Sequence, residues 1–369
     1  MTGTATPSSR RWALLDVLRD VTTKKSCRVC SKFSATPDGV TVSLNPRGRA
    51  SVGGVHTCDG SLCPLCSARK RAQQMAAVEA STVALCDQGH TVLLVTLTLP
   101  HSKNDSLPFL LDAMQKGWNA SLSARGRKKW EAAGMVGYLR SLDYTHGQNG
   151  HHPHYHCVFY FDRVADPDDL WRLEGDLHDR WARSILKSTG RDTTLHAVDV
   201  QVADDIDAVT RYVAKSFLLE SLWSEGKALG GRNIWAILAG SATSSEDRDL
   251  WRSLEDGFHR RRWVVAGGVV SLKLPEDDDV SDIDEDKSDG DENDEHELLC
   301  VVPPRLWAGL VQRRLVPSLL TAAETSRVVL DGKTTVAERW RRWLVLVEVA
   351  TADDRPESWS GWLPTRGRW

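Results

Sequence analysis

The chain is 369 residues long, 41% hydrophobic and 26% charged, the composition of a globular protein with room for two domains or more. It contains no apolar run of about 18 residues, and its N-terminus, MTGTATPSSRRWALL, lacks the charged-then-apolar form of a secretory signal. These features exclude a helical membrane span and point to a cytoplasmic protein. The net charge of −3 is unevenly spread: residues 276–297 hold fourteen acids and one lysine, which leaves +10 on the rest, a balance suited to a polyanionic partner.

Residues 1–26 read as a Ser/Thr-rich tip followed by a short helix over 12–21. Five of the eight cysteines fall in the first 66 residues, as Cys27-x2-Cys30 and Cys58-x4-Cys63-x2-Cys66. In a cytoplasmic chain such clustering points to metal rather than disulfides. β-like stretches at 40–44 and 50–55 separate the two groups, which gives zinc-ribbon-like spacing: thiolate pairs on tight turns can hold one tetrahedral Zn²⁺. Five cysteines for four positions leave one over, and Cys27 or Cys58 can fill that role.

A helix follows over 67–88, with an apolar stripe through Ala76, Ala77, Ala80, Val83 and Ala84. Its start is basic, with Arg69, Lys70 and Arg71 as candidate contacts to a polyanion. The stretch 90–99, HTVLLVTLTL, reads as a buried strand ending at Pro100. An amphipathic helix over 107–124, a strand over 137–144 and a loop over 145–153 come next.

The segment 150–161 reads GHHPHYHCVFYF. His152, His154 and His156 share one face of a strand, because the strand period is two, and Cys157, Phe159 and Phe161 take the other. Two or three imidazoles side by side make a divalent-metal half-site. A helix over 170–186, a strand over 195–202 and a helix over 204–219 complete the region. The order strand, helix, strand, strand, helix, strand, helix predicts an α+β fold, an antiparallel central sheet with helices on one side.

In the last of these helices, Ile206, Val209, Val213 and Phe217 lie within roughly 80° of one another and form the buried stripe. Tyr212 and Lys215 fall off that stripe, one turn apart on the same side. A lysine ammonium favours phenolate and can neutralise a phosphate, so Tyr212 is a candidate nucleophile.

Residues 220–275 hold Gly-rich turns, a helix over 246–258 and a basic hairpin over 259–272, in which Arg260, Arg261 and Arg262 are candidate phosphate contacts. The acidic tract is a solvated linker by composition. The predicted organisation is a tip with a short helix (1–26), a cysteine-rich zinc-binding module with its basic helix (27–88), a central domain with the trailing hairpin (89–275), the linker (276–297) and a small C-terminal helical module (298–369) with a helix over 335–349.

Taken in order, CDGSLCPLC at 58–66, TLTL at 96–99, RSLDYTH at 140–146, HPHYH at 152–156 and RYVAKSF at 211–217 resemble the rolling-circle replication initiators (Rep proteins) of bacterial plasmids. These are His-hydrophobic-His (HUH) endonucleases, and the likeness is to the group with an N-terminal cysteine cluster. It covers 27–272, including HRRRWVVAGGVV at 259–270. It implies an HUH endonuclease-like nicking domain, in which His154 and His156 ligate a catalytic Mg²⁺ or Mn²⁺ with Asp143 as third ligand. It also implies that Tyr212 nicks one strand of plasmid origin DNA, leaving a 5′-phosphotyrosine link and a free 3′-OH, with Lys215 positioning or neutralising the phosphate. Host helicase and replication proteins would be further partners. Ala208 stands where relatives often carry a Glu thought to activate water at termination. The competing readings are an HUH single-tyrosine transposase, usually much shorter and without the cysteine cluster, a relaxase, which usually has its tyrosine before the His motif, and a non-enzymatic zinc-ribbon DNA-binding regulator.

Overall fold

The computed structural model describes residues 6–122, 124–162, 167–203, 209, 231–273 and 296–328. In chain order its elements are α1 (Pro7–Val21), α2 (Lys25–Arg28), β1 (Val40–Leu44), β2 (Ala50–Gly53), α3 (Pro64–Asp87), β3 (Thr91–Leu97), α4 (Leu107–Ser121), α5 (Ala124–Ala132), β4 (Met135–Gly147), β5 (Gly150–Phe161) and α6 (Pro167–Thr189), followed by β6 (Val198–Val202), α7 (Ile234–Gly240), α8 (Ser245–Gly257), β7 (Val264–Gly268), β8 (Glu297–Val302), α9 (Pro304–Gln312) and α10 (Val316–Val328). No helix among the described residues is long and apolar enough to cross a membrane. The predicted helices over 204–219 and 335–349 and most of the acidic tract lie outside the described residues.

The chain divides into two compact units, Met1–Cys66 with Lys287–Trp369, and Ser67–Asp286. The first holds a three-stranded antiparallel sheet in the order β2-β1-β8. Alternation along β1 buries Val40, Val42 and Leu44 completely. α1 is started by Pro7 in its first turn and by the Thr6 side chain, which accepts the Ser9 backbone N–H. Trp307 of α9 is fully buried against the edge of Trp12, and its indole N–H donates to the Ser31 carbonyl at 3.0 Å. The sequence pointed to a separate helical module over 298–369. The described part of that segment instead opens with a strand that pairs β1, because the run ELLCVV supplies the third strand that the short β1–β2 pair needs.

The second unit is built on a five-stranded antiparallel sheet in the order β6-β3-β5-β4-β7. The hairpin β4–β5 is its spine, paired in register from Gly137↔Tyr160 to Gly147↔Gly150 around a two-residue turn. Gly150 takes φ +84°, and a Cβ there would meet the Lys103 backbone at 3.0 Å. The predicted loop over 145–153 is therefore the two ends of the hairpin arms. The basic segment after α8 is likewise no hairpin. It turns at Arg260 and becomes the single edge strand β7, paired to β4.

Helices cover both faces of this sheet, not one. β5 ends in apolar residues on both sides, so both must be shielded from water. Val158 and Tyr160 pack with Leu139, Val92 and Leu94 against Val78 and Leu85 of α3. Phe159 and Phe161 pack on the other side against Trp130, with Trp118 of α4 beside Phe159. On α3 the face that meets the sheet runs through Val78, Thr82 and Leu85, and Val83, placed on the stripe by sequence, is exposed.

Candidate metal centres

β5 brings three of the predicted residues together. His152, His154 and His156 alternate with buried neighbours and share one half-buried face. In the register Asp143 lies opposite His154, and Ser141 opposite His156. His154 Nε2 is 3.2 Å from Asp143 Oδ2, and His156 Nε2 is 3.8 Å from the same oxygen. The two imidazoles stand nearly perpendicular, 4.8 Å apart. Thr96 of β3 approaches His156 Nδ1 with its hydroxyl at 3.5 Å.

Asp143, His154 and His156 each offer one ligand atom, all within 4.8 Å of one another. Ligand atoms at about 2.1 Å from a divalent ion lie ~3 to 3.5 Å apart, so the present spacing can close on an ion with small side-chain movements. The set is two imidazoles and one carboxylate, which leaves coordination positions open for other oxygens. Burial pushes the Asp143 carboxyl up, but the His154 hydrogen bond, the two imidazoles and the Tyr144 N–H outweigh it and hold it down at about 2. Burial pulls His154 down, and Asp143 more than reverses this.

His152 is outside that trio. Its ring stacks on His101, 4.8 Å away. His151, on the opposite face, is buried, with its Nδ1 2.7 Å from the Tyr144 hydroxyl, and burial pulls it down to about 4. It is a packed core histidine.

The second centre lies in the other unit. Cys30, Cys58, Cys63 and Cys66 converge so that their sulfurs all lie within 4.8 Å of one another. Cys30–Cys66, Cys58–Cys66 and Cys30–Cys63 are each 3.6 Å apart. A tetrahedral Zn²⁺ with bonds of about 2.3 Å has sulfur–sulfur edges of ~3.8 Å, so the group can hold zinc. None of the eight cysteines forms a disulfide. The turns after Cys30 and Cys58 place Ser31 and Asp59 at positive φ, 53° and 51°. Gly60 N–H donates to Cys58 Sγ, and a Cβ on Gly60 would press within 3.4 Å of the Cys27 and Cys58 sulfurs. Contacts with Cys27, Cys30 and Cys63 pull the Cys58 thiol down to about 4. Cys27 is the residue left outside the four. Its sulfur lies 3.8 Å from Cys58.

Of the other predicted residues, Tyr212, Lys215 and Ala208 lie outside the described residues. Arg69, Lys70 and Arg71 occupy the early turns of α3. Arg69 is exposed, whereas the Arg71 guanidinium lies over the Trp263 ring at 5.2 Å. Arg260 and Arg262 are exposed, while Arg261 pairs with Asp112. Sequence reasoning missed Thr96 and Ser141 beside the histidines, residues that only the strand register reveals.

A family model described as replication protein matches residues 49–303. No curated protein and no solved structure matches the chain.

Proposed function

The chain belongs to the replication protein family of plasmid replication initiators, and we propose that it starts rolling-circle replication by nicking one strand of the plasmid origin through Tyr212. The observation that carries this reading is the convergence of Asp143, His154 and His156 on one face of the β4–β5 hairpin, inside the matched span. The same arrangement supports the likeness to HUH endonucleases.

A Mg²⁺ or Mn²⁺ ion held by Asp143, His154 and His156 would polarise the scissile phosphate and offset the charge that develops there. The rest of the chemistry belongs to the chain. The Tyr212 oxygen gives up its proton and attacks phosphorus, the bond from phosphorus to the 3′ oxygen breaks, and that oxygen takes a proton to become the 3′-OH primer. The 5′ phosphate stays on Tyr212, so reversal by the 3′-OH of a later strand rejoins DNA without another energy source. Lys215, three residues after Tyr212 in sequence, favours the phenolate before attack and the phosphate after it. The basic start of α3 and Arg260 and Arg262 hold the backbone of the origin. The Cys30, Cys58, Cys63 and Cys66 group carries a structural Zn²⁺.

The test is nicking of a supercoiled plasmid that bears its own origin, in Mn²⁺, with the protein trapped on the 5′ end. Wild type should give open circles and a covalent adduct, and Tyr212→Phe neither. Equal nicking by Tyr212→Phe overturns the nucleophile. His154→Ala with His156→Ala should abolish cleavage and spare origin binding. Retained cleavage removes the metal assignment.

A further inference from the structure

α3 carries a cation where its buried stripe would otherwise continue. Counting back from Leu85, Thr82 and Val78 by helical steps, position 71 falls on the same face, within about 40° of each at roughly 100° per residue. Leu85 and Val78 meet the sheet in the apolar core, and Thr82 Oγ1 bonds the Tyr160 hydroxyl at 2.7 Å. Toward its N-terminus the helix passes along the same sheet face that carries Val158, His156 and His154 in succession. Arg71 therefore reaches the sheet at the level of the metal trio. Consistent with this, burial pulls its guanidinium down to about 10, and the Asp143 carboxylate opposes that pull.

The guanidinium is held in place. It lies over the Trp263 ring at 5.2 Å, and the Trp263 carbonyl accepts the Leu142 N–H at 2.7 Å, one residue from Asp143. Trp263 is itself buried and packed on Phe258, ring centroids 4.3 Å apart. Among the described residues no carboxylate forms an ion pair with Arg71. Asp143 acts on the guanidinium without pairing with it, and a half-buried cation that lacks a direct ion pair is stabilised by an arriving anion. On the Asp143 side of β4, Ser141 is 2% exposed, and its hydroxyl has no partner among the described residues.

We propose that Arg71 is a catalytic residue of the nicking reaction, whose planar fork grips the non-bridging oxygens of the scissile phosphate while the Asp143, His154 and His156 centre faces the same group. The fork matches phosphate geometry in a way that a lysine does not. Fixed in advance by Trp263, it needs no reorganisation as negative charge builds at phosphorus. This assignment rests on the nicking reading given above.

The experiment uses the full chain and a single-stranded oligonucleotide spanning the nick mapped on the plasmid. In single-turnover cleavage with Mn²⁺, Arg71→Ala should slow adduct formation by about 100-fold or more, and Arg71→Lys by an intermediate factor. When an uncharged methylphosphonate replaces the scissile phosphate, the Arg71→Ala deficit should shrink to under about ten-fold, because the charge that Arg71 answers is gone. In the non-cleaving Tyr212→Phe background, adding Arg71→Ala should lower the salt slope of oligonucleotide binding by about 0.7, one phosphate contact on a single strand. If Arg71→Ala fails to fold, Arg71→Gln, which keeps most of the stem over Trp263, carries the same three measurements. Wild-type rates in the neutral variant overturn the assignment alone. So does a deficit that stays the same on methylphosphonate with an unchanged salt slope, which marks a structural role. Failure of wild type to form any adduct overturns the nicking reading, and this assignment with it.

Discussion

At the level of single residues, the cysteine cluster makes the sharpest prediction, because five thiols compete for four positions. The sulfurs of Cys30, Cys58, Cys63 and Cys66 stand at tetrahedral spacing, whereas Cys27 lies outside that set, its sulfur 3.8 Å from Cys58. Cys27→Ser should therefore keep one zinc per chain, and Cys63→Ser, which removes a buried corner, should lose it and destabilise its unit. Metal analysis of the purified variants decides between them: zinc loss in Cys27→Ser with retention in Cys58→Ser would reassign the set. Sequence spacing alone left Cys27 and Cys58 as equal candidates, since both stand at the end of a loop whose path the spacing does not fix. The histidines were more legible. A strand period of two places His154 and His156 on one face whatever the rest of the fold does. Asp143 was legible only through the family resemblance, since its approach to His154 depends on the register of a second strand.

At the level of elements, the strands of the hairpin and the long helices α1, α3, α4, α6 and α8 followed from periodicity, and the other helices and the arrangement of helices around the sheet did not. Alternation in β5 says that two faces differ near the histidines. Nothing local says that both become apolar six residues later and demand cover on both sides. The cover on the Phe159 side depends on close approach of α4 and α6. Gly117 of α4 sits against Trp181 of α6, and a Cβ built there would lie 2.7 Å from the indole ring. Two effects oppose each other in Gly117→Ala. Alanine favours the helix by about 1 kcal/mol, while forcing two packed helices apart costs about 1–3 kcal/mol. Trp181 cannot yield easily, since it is fully buried and its Nε1 donates to the Thr98 carbonyl at 2.7 Å. The clash should win, and Gly117→Ala should lower the denaturation midpoint. A raised midpoint would mean that α6 shifts freely on the sheet.

At the level of the whole molecule, the chain closes one unit with segments from both of its ends, a feature that no local pattern could announce. β8 pairs with β1 across more than 250 residues of sequence, Val302 against Val40, and the entropy of closing so long a loop grows only slowly with its length. Hydropathy reads the segment as a short apolar run, and its partner strand is invisible from it. This closure ties the C-terminal segment to the cysteine cluster inside the same unit. The Ser31 turn, next to Cys30, is gripped from two sides: its N–H donates to the His56 carbonyl at 2.7 Å, and its carbonyl accepts the Trp307 indole N–H at 3.0 Å. Trp307→Phe keeps most of the bulk but leaves a buried carbonyl without its donor, a loss of about 1–3 kcal/mol. Trp307→Ala adds a cavity under Trp12 and should cost about 3–5 kcal/mol. Because Cys30 rides on the held turn, both variants should surrender zinc to a chelator faster than wild type, Trp307→Ala more so, although residue 307 stands far from every cysteine of the cluster in sequence. Zinc release at the wild-type rate in both variants would show that the cluster holds its own turn, and that the return of the chain to β1 serves the sheet alone.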